Sequence, residues 1–118
     1  MTRVGRAEYE SLRNWILQLP DVTEAPHQFG GTEFQVHGLQ FMHFHGYTHF
    51  DIRLLKEDQI RVLQEGKAEH HRYAPQAGWV ALVIRSPNDV TTAKELIELA
   101  YNHAQRSEER RVGKECRL

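Results

Sequence analysis

The 118-residue chain balances 15 Lys and Arg against 16 Asp and Glu, and no basic cluster of the kind that holds nucleic acid or an anionic membrane stands out. Its one cysteine leaves no disulfide framework, no thiolate nucleophile and no cysteine-based zinc site. No apolar run approaches the roughly 18 residues that span a bilayer, and the chain starts into a polar helix rather than a signal sequence, so a cytoplasmic protein is expected.

Residues 6–19 place Tyr9, Leu12, Trp15, Ile16 and Leu19 at helical spacing, and Pro20 ends the pattern. Residues 21–31 show no period and contain Pro26, Gly30 and Gly31, which reads as an extended connection ending in a turn. Residues 32–37 and 39–45 alternate like strands around Gly38, and residues 48–54 form a third strand. A short helix is predicted over 56–64, with Gly66 as its left-handed cap. Residues 69–73 make a short extended piece, and 75–78 a turn. The run 79–85, apolar on both faces, reads as a central strand. Ser86, Pro87 and Asp89 then carry the signals of a helix start, and Val90, Ala93, Leu96, Ile97, Ala100 and Tyr101 form its buried stripe. Residues 106–118 resemble the in-frame translation of a sequencing adapter, and on composition alone read as a disordered charged tail. Without them 10 cations face 13 anions, and residues 1–105 make one domain.

The expected fold is α+β: a two-layer sandwich, an antiparallel sheet with helices on one face, in the order α-β-β-β-α-β-β-α. Its organising stretch is 41–53. A turn at Gly46, Tyr47 and Thr48 sets His45 opposite His49, Phe44 opposite Phe50, His43 opposite Asp51 and Met42 opposite Ile52. Because side chains alternate across a strand, Met42, Phe44, Phe50, Ile52 and Leu54 share an apolar face for the helices to cover. His43, His45, His49, Asp51 and Arg53 share the other. That second face is left open to solvent, to a loop, or to a second subunit in a homodimer. Trp15 and Trp79 sit on apolar stripes and are expected in the core.

Phe29-Gly-Gly-Thr-Glu-Phe34, His43-Phe-His45-Gly46, Asp51, Gly66-Lys-Ala-Glu-His-His71, Gly78-Trp79 and Leu99-Ala-Tyr101 together resemble the luciferase-domain family, whose largely uncharacterised bacterial members are similar to fungal luciferases. The resemblance covers residues 25–103. It implies an oxidoreductase of the oxygenase type, monooxygenase or dioxygenase, and it points to His43, His45 and His71. The fungal enzymes add O2 to a hydroxylated pyrone; they are longer and carry an amino-terminal membrane segment.

Two chemistries fit these residues. A His-x-His pair on one strand face sets imidazoles about 6–7 Å apart at the backbone, and with His71 and Asp51 offers a mixed nitrogen and oxygen ligand set for zinc or non-haem iron. Without any cofactor, a histidine oriented by Asp51 could instead deprotonate a phenolic or enolic small molecule, whose anion reacts with oxygen directly. Arg53, His27 and His49 are placed as substrate-binding. A non-catalytic module that binds a small ligand, a metal or a second subunit is the alternative from a different class.

Overall fold

The computed structural model describes residues 5–27, 30–71 and 75–116; for Pro75 and residues 107–116 it describes the backbone alone. Helix α1 (Arg6–Leu17) leads into strands β1 (Val22–Pro26), β2 (Thr32–Val36), β3 (Leu39–His45) and β4 (His49–Arg53). Helix α2 (Lys56–Gln64), the two-residue β5 (Glu69–His70), a 3-10 turn (Pro75–Ala77), β6 (Trp79–Val83) and α3 (Pro87–Cys116) complete the order. All neighbouring strands are antiparallel, in the order β1-β2-β3-β4-β6-β5. This is the expected α+β sandwich with one more strand, and β6 lies inside the sheet as its apolar run predicted.

The additional strand is β1, which corrects the reading of 21–31 as a connection. It is an edge strand with no buried residue, so it lacks the apolar alternation that marks a strand, and Pro26 falls where an edge tolerates a missing donor. The expected extended piece over 69–73 is described as far as His71. Helix α3 continues past its buried stripe through the adapter-like residues to Cys116.

The hairpin register is the one the alternation dictates. Met42 pairs with Ile52, His43 with Asp51, Phe44 with Phe50 and His45 with His49. Phe34, Met42, Phe44, Phe50 and Ile52 are buried together with Leu12 and Ile16 of α1, Val62 of α2, and Ala93, Leu96, Ile97 and Ala100 of α3. Burying each large apolar side chain contributes about 1.5–3 kcal/mol. Phe44 sits at the centre of this layer, with edge-on contacts to Tyr9, Phe34 and Phe50. Trp15 packs against the core from α1, and the Tyr101 hydroxyl donates to the Pro20 carbonyl at 2.8 Å. Asp89 accepts from the Arg85 and Ser86 backbone N–H groups at the start of α3.

Two departures from a regular sheet position the other face. Between β2 and β3 the register runs from Phe34 opposite Met42 to Gln35 opposite Gln40, so Phe41 is an extra residue. This bulge turns Phe41 onto the helix side against Tyr101 and sends Gln40 to the same face as His43. Gly31, at φ 83°, crosses so close to the Phe44 carbonyl that a Cβ would overlap it, which ties the β1–β2 turn to the hairpin. No helix among the described residues is long and apolar enough to cross a membrane.

Candidate functional site

Alternation decides which side chains reach the face without helices. Pairing of Glu33 with His43 and of Asp51 with Ala81 carries Glu33, His43, Asp51 and Ala81 across four strands. Ala25 pairs with Glu33, and His27, two residues on from Ala25 and one past the end of β1, falls on the same side.

Asp51 is the hub. One oxygen, Oδ2, accepts from His43 Nε2 at 2.7 Å and from His45 Nε2 at 2.8 Å, and His71 Nε2 approaches it at 3.3 Å. His43 is 7 % exposed although no helix covers it. Its neighbours do the covering. The His27 ring stacks on it at 4.1 Å and 11°, the His45 ring meets it edge-on, and Trp79 lies 5.0 Å away. Gln40 Nε2 stands 2.8 Å from His43 Nδ1. With Nδ1 accepting from an amide, Nε2 carries the ring proton and donates to Asp51, which makes His43 a neutral imidazole satisfied at both nitrogens.

The titration behaviour agrees. Burial holds the His43 pKa below its ordinary value and outweighs the Asp51 hydrogen bond and charge, while His27 and His45 push the same way as burial. For Asp51 burial acts to raise the carboxyl, but the hydrogen bond from His43 and the surrounding His43, His71 and His45 outweigh it, so its pKa is lowered. His45 differs from His43 in access. Its side chain is 40 % exposed, yet the same carboxylate oxygen fixes one of its nitrogens.

A second carboxylate joins from β2. Glu33 Oε1 lies 3.1 Å from His27 Nδ1, and Gln35 Nε2 donates to Glu33 Oε2 at 2.6 Å. Gln40 Nε2 is also 3.3 Å from His27 Nδ1, but that nitrogen cannot donate to Glu33 and accept from Gln40 at once. The shorter, charge-assisted contact to Glu33 is the stronger, which leaves the Gln40 amide to His43.

The structure therefore brings His43, His45, His71 and Asp51 together and adds His27, which was placed at the substrate instead. His49 stands apart: it is exposed, with Nδ1 at 3.3 Å from Thr48 Oγ1. Arg53 turns to the 3-10 segment, where Nε donates to the Ala77 carbonyl at 3.3 Å. Trp79 is a correction. Val80, Leu82 and Ile84 take the core side of that run, so Trp79 falls on the open face, half-buried against His43 and His71. Gln40 and Gln35 were not singled out from the sequence, and Glu33 entered only within the stretch 29–34 that carries the family resemblance. The alternation Thr32-Glu-Phe-Gln-Val36 could have placed Glu33 and Gln35, whereas Gln40 needed knowledge of the bulge.

A luciferase-domain family model matches residues 38–100. The chain belongs to the luciferase-domain family. The matched stretch holds Gln40, His43, His45, Asp51, His71 and Trp79, while His27 and Glu33 precede it. Comparison with curated proteins returns no match.

In this luciferase domain one ring nitrogen each of His27, His43 and His45 can be chosen so that all lie within 4.8 Å of one another, a grouping that could hold a metal ion. Imidazole binds a cation through a lone pair in its ring plane. Two nearly parallel rings 4.1 Å apart share no such point, so ligation by both His27 and His43 requires one ring to turn. In the set expected from the sequence, His43 and His45 donate to Asp51; a cation there would compete with those two protons. As it stands, the luciferase-domain site is an imidazole network gathered on a carboxylate. It can orient a histidine and stabilise positive charge on it.

Proposed function

We propose that this luciferase-domain protein is a small-molecule oxygenase acting on a phenol or enol, with His45 as a cofactor-independent general base. The observation that carries this reading is the shared oxygen of Asp51, which binds a buried histidine and an accessible one. With Nε2–H given to Asp51, the His45 lone pair lies on Nδ1, and protonation there places an imidazolium beside a carboxylate whose ionised form is favoured. A positioned base of this kind contributes about 10²–10⁴-fold to proton abstraction. His43 and His71 hold the carboxylate in place, and Gln40 keeps His43 in the tautomer that donates to it.

The chemistry balances without an outside reductant. His45 removes the acidic O–H proton, the resulting anion passes an electron to O2, and recombination forms the new C–O bond. The peroxide then takes back one proton, so substrate and O2 give a hydroperoxide. Family membership supports this class of reaction; the arrangement around Asp51 supports the base.

The test is oxygen uptake by the purified protein over a panel of hydroxylated pyrones and phenols, before and after treatment with a chelator. Uptake that survives chelation and is lost in His45→Ala supports the reading. Uptake that needs added iron would replace it with metal-assisted chemistry. Binding of the panel with no uptake at all would favour the non-catalytic module.

A further inference from the structure

The extra residue that brings Gln40 beside His43 also parts two strands. The β3–β4 ladder ends at Met42 opposite Ile52, so residues 39–41 have no partner on β4, while the β6 edge of β4 stays paired through Arg53 opposite Trp79. A hollow of about 150 Å³ lies in this gap. Gln40, Phe41 and Arg53 border it from the sheet, and Ala100, His103 and Ala104 from α3. The two alanines stand one helical turn apart, where larger side chains would fill the space.

Arg53 gives the hollow its character. Its Nε is committed to the Ala77 carbonyl, and no carboxylate pairs with its guanidinium among the described residues. Arg6, Arg13, Arg61, Lys67 and Arg85 each have an acidic partner; Lys56, Lys94 and Arg106 share with Arg53 the lack of one among the described residues, but only Arg53 borders the hollow. A guanidinium with open N–H groups beside an aromatic and aliphatic wall matches a planar oxyanion attached to an apolar body. Arg53 follows Asp51 by two residues on one strand face, about 6–7 Å away at the backbone. Gln40 touches both the hollow and His43.

We propose that the hollow is a binding subsite for the carboxylate end of a small hydroxyaryl or enolic acid, held by Arg53, with the ring directed past Gln40 toward His43 and His45. The assignment of this ligand as substrate rests on the oxygenase reading, whereas its binding does not. A volume of this size accepts one small organic anion.

The probe is 4-hydroxybenzoate, titrated into the full chain and followed by amide NMR shifts, with uncharged 4-hydroxybenzamide as its control. Saturable shifts at Gln40, Arg53, Ala100 and Ala104 are expected, with the benzamide at least about tenfold weaker. Arg53→Gln should weaken the acid about tenfold or more while leaving the benzamide unchanged. Ala104→Leu, which fills the hollow, should abolish binding of both; should it fail to fold, the exposed Arg53→Gln substitution carries the test. Equal affinity for acid and amide, equal affinity in Arg53→Gln, or no shift at these residues up to about 10 mM would overturn the subsite. Oxygen uptake without these shifts would sink the subsite and leave the base standing. Shifts without uptake on any panel compound would do the reverse.

Discussion

Replacing Asp51 by Asn keeps the shape of the hub and removes its charge. Two imidazole donors reach Oδ2 at 2.7 and 2.8 Å. A hydrogen bond to a charged acceptor contributes about 1.5–3 kcal/mol and a neutral one about 0.5–1.5, so each bond that survives in Asn loses about 1–1.5 kcal/mol. The His45 bond counts for less, because that side chain is half-exposed and water screens it. The third contact, from His71 at 3.3 Å, adds little. Asp51→Asn should therefore cost about 1–2 kcal/mol, which for a domain of this size lowers Tm by roughly 5–15 °C. Urea and thermal unfolding at pH 7 measure this, and oxygen uptake should drop at least about 10²-fold as His45 loses its orientation. A variant as stable as the parent would mean that the cost of burying the carboxylate cancels its hydrogen bonds. Together with undiminished uptake, that result would refute the hub as both a structural and a catalytic device.

Gly31→Ala should destabilise by about 3 kcal/mol, since it combines a left-handed backbone with overlap on the Phe44 carbonyl; chemical denaturation showing less than about 1 kcal/mol would contradict that close approach. Burial lowers the His43 pKa, so below about pH 6.5 the unfolded chain takes up a proton that folded His43 refuses. Stability should fall there by up to about 1.4 kcal/mol per pH unit until the folded-state pKa is reached. Asp51, whose pKa is also lowered, contributes stability that is present above the ordinary carboxyl range and lost as pH falls through its folded value. Unfolding free energies across pH should therefore show an acid-side decline, and His43→Gln should flatten its upper part. Chelator-treated protein should keep both its fold and its oxygen uptake; near-stoichiometric iron or zinc whose removal abolishes uptake would reverse the metal-free reading.

Residues 41–53 could be read because a strand pair with one buried face has little freedom of register. A slip of one residue would have put Phe44 and Phe50 into solvent, so His43, His45 and Asp51 were fixed by the hydrophobic pattern of their neighbours. His27 was harder to place. It lies one residue past β1, a strand that packs no residue fully into the core and has no pattern to betray it. Gln40 was hidden for a different reason: strict alternation puts it with Met42, and only the bulge moves it across. Trp79 misled because bulk and apolarity suit both faces of β6, and its position follows from Val80 and Leu82 rather than from its own chemistry.

Phe41 has a consequence for comparing chains of this family. His43, His45 and Asp51 all lie on the regular side of the bulge, so a relative one residue shorter at this point would preserve the imidazole–carboxylate hub unchanged. It would also keep Gln40 opposite Gln35 and on the His43 face, because Phe41 is inserted between two residues that otherwise alternate, but it would lose the Phe41 ring from against Tyr101 and let β3 run on against β4 where the hollow now opens. The presence or absence of one inserted residue is thus a length marker, visible without any coordinates, that separates chains built with the hub alone from chains built with the hub and its neighbouring cavity.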